Sequence, residues 1–185
     1  YLDGPCLRMS HRSQLENTAR ALGAERVDAV TESLGSIRDL GLPADLFDNF
    51  MSQLTALLPA CGDVDRVVGN LQRFLHASRS PQAWLALFER EADSLATLVQ
   101  LFSTSQYMAN VLIGDPEAFD LLRLTGGAAV DQGVLADEIM AAVVASGDLR
   151  SAMRILRDYR HRETLRIAYG DFIAGQSVEI VTQQI

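Results

Sequence analysis

Asp63 and Asp65, in "GDVDR", stand two positions apart, the spacing at which a pair of carboxylates holds two magnesium ions for phosphoryl chemistry. Such a pair needs a strand beside a glycine-rich turn to aim both side chains at one point. This one opens a helical pattern instead, where Asp63 suits the N-cap and Asp65 the positive end of the helix dipole. Capping is therefore the expected role. Gly126, Gly127 and Asp131 in "TGGAAVDQG" resemble a phosphate-binding turn, but the lysine of a P-loop and the third glycine of a dinucleotide fingerprint are both missing. An interhelical loop is expected there. His11, His76 and His161 are scattered with no H-E-x-x-H pattern, and Cys6 and Cys61 have no C-x-x-C neighbour, so neither a metal site nor a structural disulfide is expected.

The arginines form the one chemically distinct run. Between Arg150 and Arg166 lie six of the sixteen basic residues, Arg150, Arg154, Arg157, Arg160, Arg162 and Arg166, against Asp158 and Glu163 alone. That segment carries about +4 while the rest of the chain carries about −12, an asymmetry the net charge of −8 conceals. On a helix, Arg150, Arg154, Arg157 and His161 fall in one arc, and Leu149, Ala152, Met153, Ile155, Leu156 and Tyr159 occupy the rest, mainly the opposite side. The basic arc is either a solvated face or a docking surface for a domain or partner. Glu163 falls in the apolar stripe, with Arg162 and Arg166 at its edge. A carboxylate there is costly unless paired, and Arg166 is one turn away, so a partly buried Glu163–Arg166 ion pair with a structural role is expected.

Bulk properties bound the rest. With 185 residues, 48% hydrophobic and 22% charged, the chain has the composition of a globular protein with one core or two small ones. A pI near 4.8 argues against a protein that coats nucleic acid. Every Lys or Arg position is arginine, which leaves no amine for a Schiff base and no phosphate-loop lysine. The longest apolar window, Ile139–Ser146, is too short to span a bilayer, and no signal-peptide pattern opens the chain. A cytoplasmic setting without membrane contact is expected. The chain starts at Tyr1 and ends at Ile185 inside a helical pattern, "SVEIVTQQI", so it reads as a piece of something longer.

Helices must position all of these residues, because apolar residues recur at steps of three and four throughout and strand alternation is nearly absent. Gly23, Gly41 with Pro43, Gly62, Ser80 with Pro81, and Asp115 with Pro116 punctuate the pattern. About ten helices and no sheet are expected, an all-α compact multi-helix bundle, with an α-solenoid the alternative. The loop Thr125–Gly133 is the expected boundary between an N-terminal sub-bundle over 1–124 and a helical segment over 134–185, unless the two form one continuous helical domain.

From Leu156 to Ile185 the string "LRDYRHRETLRIAYGDFIAGQSVEIVTQQI" resembles the segment of glutamine synthetase adenylyltransferases that precedes a nucleotidyltransferase domain. Leu156, Arg157, Tyr159, Arg160, Arg162, Glu163, Leu165, Arg166, Ile167, Ala168 and Asp171 match that family's L-R-x-[FY]-[RK]-[RH]-R-E-x-L-R-I-A-x-x-D run in register. Upstream, "LFSTSQYMANVLIGDPEAFDLL" is similar to the helix pair that leads into it. The likeness covers about the last ninety residues, and the first sixty carry no match. The Pro116–Glu117 context points to the N-terminal half of that bifunctional enzyme.

The resemblance implies a cytoplasmic enzyme of nitrogen regulation whose two nucleotidyltransferase domains transfer AMP from ATP to a tyrosine of glutamine synthetase and remove it by phosphorolysis. Magnesium and ATP would serve the parent, with no cofactor, metal or catalytic residue in this segment. The family's G-K-x-G-x-x-E...S-D-x-D carboxylate motif is not in this sequence, so the segment alone is expected to be inactive. The implied partners are the nucleotidyltransferase domain of the same parent, glutamine synthetase and a PII regulatory protein. On that view Arg150, Arg154, Arg157 and His161 are the docking candidates, and Glu163 with Arg166 the structural pair. The rival readings are a free-standing helical interaction scaffold and a helical nucleic-acid binder.

Overall fold

The structure, a computed structural model, describes residues 5–128, 130–173 and 175, with side chains described from residue 12 onward apart from residue 172. Among the described residues there are ten α-helices, one 3-10 turn and no strand. In chain order they are α1 (Pro5–Ala21), α2 (Val27–Arg38), α3 (Ala44–Leu57), the 3-10 turn Leu58–Ala60, α4 (Val64–Ala77), α5 (Pro81–Arg90) and α6 (Ala92–Thr104). There follow α7 (Gln106–Gly114), α8 (Glu117–Thr125), α9 (Gln132–Ala145) and α10 (Leu149–Phe172). The helical pattern of Ser177–Ile185 and the side chains of Cys6 and His11 lie outside the described residues.

Local chemistry sets the boundaries. Asp63, Ser80, Ser105, Asp131 and Asp148 each stand at an N-cap and accept a hydrogen bond from a first-turn amide, which is worth about 1 kcal/mol per cap. Pro81 sits at the first position of α5, where its missing N–H costs nothing.

The chain divides into two compact units, one ending at Pro116 and the other starting at Glu117. In the first, α4 is the central helix and packs against α2, α5, α6 and α7. It can do so because its apolar residues, Val64, Val67, Val68, Leu71, Phe74 and Leu75, are all buried. Around Phe74 the aromatic rings interlock: Trp84 lies edge-on at 5.1 Å and Phe102 at 6.0 Å, while Phe50 and Phe88 stack at 6.4 Å. Full burial of each of these phenylalanines stabilises the unit by about 1.5–3 kcal/mol.

The second unit holds α8, α9 and α10. Its division from the first falls ahead of α8. The α8–α9 loop is bonded to α10 through Arg166. α9 and α10 pack as a helical hairpin across the turn Ser146–Asp148. α9 buries none of its residues fully, and Val134, Met140 and Val144 are exposed.

Candidate functional site

α10 carries the arginine run. Its start is fixed by Asp148, whose carboxylate accepts the Ser151 N–H at 2.9 Å. That backbone bond, with the Ser151 hydroxyl, the Arg150 amide and the Arg154 charge, holds the exposed Asp148 carboxyl below its usual range.

Near its other end, Arg166 and Glu163 meet. The Arg166 Nε lies 3.2 and 3.0 Å from the two Glu163 oxygens, and its Nη2 donates to Oε2 at 2.8 Å. The Arg166 side chain is only 9% exposed and that of Glu163 23%. A buried guanidinium needs more than one carboxylate to satisfy its donors. Its Nη1 supplies the remainder by donating to the carbonyls of Ala128 at 3.0 Å and Gly127 at 3.4 Å. The α8–α9 loop is thereby stapled to α10 from inside.

The loop reaches that position because of glycine. Gly127 has φ +70°, in the left-handed region, and a Cβ added there would stand 2.9 Å from Tyr169 Cδ1, 3.0 Å from the Gly170 nitrogen and 3.2 Å from the Arg166 carbonyl oxygen. Backbone touches backbone at this point, and Gly170 is buried in the contact. A glycine inside a helical pattern, as in "AYGDF", is the sequence signal for such an approach, although it does not say which loop approaches.

Arg162, at the edge of the apolar stripe, is exposed and lines a small cleft with Leu121, Leu122 and Leu165. The cleft encloses about 100 Å³, well below the roughly 300 Å³ at which small-molecule pockets begin.

Toward the N-terminal end of α10, Arg150, Arg154 and Arg157 are exposed and line one shallow groove with Leu149 and Met153. His161 is half-buried, so the four residues do not form one uniform exposed stripe. The apolar residues assigned to the opposite side do not form one buried face either. Ala152, Ile155 and Tyr159 are half-buried, whereas Leu149, Met153 and Leu156 are exposed. One neighbouring helix covers only about a third of a helix surface, and the apolar arc of α10 is wider than that.

The other chemistry-bearing residues are committed elsewhere. Asp63 accepts the Arg66 N–H at 2.9 Å as an N-cap. Asp65 is buried and accepts the Glu25 and Arg26 N–H groups, one on each oxygen, at 2.9 Å. This tie between α4 and the α1–α2 connection is invisible to sequence spacing. Both carboxylates serve backbone amides and do not converge. Asp131 caps α9 through the Gly133 and Val134 amides. His76 Nε2 lies 2.8 Å from the Ser36 hydroxyl. Cys61 is a free thiol whose pKa is pushed up by burial. Among the described residues, no group of three or more His, Cys, Asp or Glu is placed to hold a metal ion, and no helix is long and apolar enough to cross a membrane.

Compared with known proteins, residues 95–185 match the family model for glutamate-ammonia ligase adenylyltransferase. The matched region starts within α6 and includes all of α7, α8, α9 and α10. No curated protein and no solved structure matches the chain.

Proposed function

We propose that the chain, whose residues 95–185 match the glutamate-ammonia ligase adenylyltransferase family model, is a non-catalytic helical region of a bifunctional enzyme that adds AMP to glutamine synthetase and removes it. The family match carries this reading. It is supported by where the matched motif falls: Arg166 of "RETLRIAYGD", paired with Glu163, donates to the carbonyls of Gly127 and Ala128 and so pins the α8–α9 loop to α10. The motif's work on this reading is to hold three helices as a platform.

The chemistry then belongs to a nucleotidyltransferase domain of the same parent, which uses magnesium and ATP in the cytoplasm. In this chain the aspartates of "GDVDR" are bonded to backbone amides. The platform positions the catalytic domain against glutamine synthetase, and a PII regulatory protein acts on the same assembly. Reading the gene beyond Ile185 tests this. The proposal expects G-K-x-G and S-D-x-D patterns in the following coding sequence, and a stop codon shortly after Ile185 overturns it in favour of a free-standing helical scaffold.

A further inference from the structure

Leu149, Met153 and Leu156 stand at i, i+4 and i+7 on α10, one line along the helix, and are 79%, 53% and 42% exposed. Arg150, Arg154 and Arg157 each follow one of them in sequence, so a basic line runs beside the apolar one. A shallow groove lies between the two lines. None of the three arginines forms an ion pair among the described residues, while Arg166 on the same helix is fully engaged. This is a seam of coiled-coil spacing, open along one half of a helix and edged by charge on one side.

We propose that this face of α10 binds an amphipathic helix of a partner protein, with Leu, Ile or Met at heptad spacing and a flank of Asp and Glu. The apolar line calls for a helix because knobs spaced at four and three residues match holes on another helix, and the described residues contain no strand to extend. The basic line calls for an acidic flank, because guanidinium forks pair carboxylates with two hydrogen bonds and unlike flanks set partner choice. A second copy of the chain fits less well, since an antiparallel two-fold pairing of α10 on itself sets arginine against arginine. The proposal stands on this face and does not depend on the family reading.

The test uses the whole 185-residue chain and a fluorescent helical peptide with leucines at the heptad seam and glutamates on the flank, followed by anisotropy. Saturable binding is expected, weakened by added salt. It should fall about tenfold or more both in the triple variant Arg150→Glu, Arg154→Glu, Arg157→Glu and in Met153→Asp with Leu156→Asp. All five positions are exposed, and circular dichroism checks that the helices persist. A peptide with lysine flanks and one with the leucines changed to serine should fail to bind. Absence of saturable binding, or equal binding of the lysine-flanked peptide, overturns the proposal. It is equally overturned if the chain sediments as a dimer that Met153→Asp dissolves. Binding of phosphatidylserine vesicles or mixed-sequence RNA in place of the peptide also overturns it.

Discussion

Arg166 holds Glu163 with three contacts of 2.8–3.2 Å while also donating to the carbonyls of Gly127 and Ala128 on the preceding loop. The ion pair is therefore the inner half of a staple between the α8–α9 loop and α10. Its two partners are unequal: Arg166 serves both halves, Glu163 only one.

That inequality predicts the stability ranking. Arg166→Met should cost about 2–4 kcal/mol, because it leaves a partly buried carboxylate and two carbonyls without their donor. Glu163→Gln should cost about 1 kcal/mol, since an amide oxygen still accepts from the guanidinium. Urea melts of both singles and the double should show a double close to Arg166→Met alone. Small additive losses would mean that the pair is not coupled.

The close approach of Gly127 predicts a contrast between two glycines with the same backbone angle. Gly127 and Gly147 have φ +70° and +71°, but nothing lies within 4 Å of a Cβ built at Gly147. Gly147→Ala should cost only the left-handed strain, about 1 kcal/mol. Gly127→Ala should cost about 2 kcal/mol more, because helix backbone cannot yield as a side chain does. Equal melting shifts for the two would refute the close packing.

For the "GDVDR" aspartates, the expected order reverses the usual weight of an N-cap. Asp63→Ala should cost about 1 kcal/mol. Asp65→Ala should cost about 2–3 kcal/mol, since it strips acceptors from two amides at once and opens the α1–α2 connection. Amide exchange at Glu25 and Arg26 should accelerate in that variant and stay unchanged in Asp63→Ala.

Asp148 gives a pH dependence whose sign is fixed. Its carboxyl lies below the ordinary value of 3.8, so the ionised form is favoured in the folded helix. The benefit is present above pH 3.8 and is lost as pH falls through the lower folded-state value. Protection of the Ser151 amide, taken relative to its intrinsic exchange rate, should fall in that acid range, and in Asp148→Ala it should no longer change with pH there. A flat profile in the parent chain would contradict it.

Much of this was legible in the sequence, for identifiable reasons. The ten helices follow from apolar spacing and from caps such as Ser80–Pro81 and Asp63, all local signals. The geometry of Glu163 with Arg166 is also local, being set by one helical turn. What was not legible is long-range. Nothing in the spacing says that Arg166 also binds the carbonyls of Gly127 and Ala128, or that Asp65 reaches back to Glu25 and Arg26. Nor does the helical wheel of α10 say which part of its wide apolar arc a neighbour covers, and Leu149, Met153 and Leu156, all in that arc, stand exposed.

The central claim is that this chain supplies a helical platform to an enzyme that modifies glutamine synthetase. Its most direct test is mass analysis of glutamine synthetase after incubation with magnesium, ATP and either the intact product of the gene or the 185-residue chain alone. The account predicts that the intact product attaches AMP to a tyrosine and, given phosphate, removes it, and that the chain alone does neither. An intact product that neither adds nor removes AMP, or a chain that does so unaided, would contradict it.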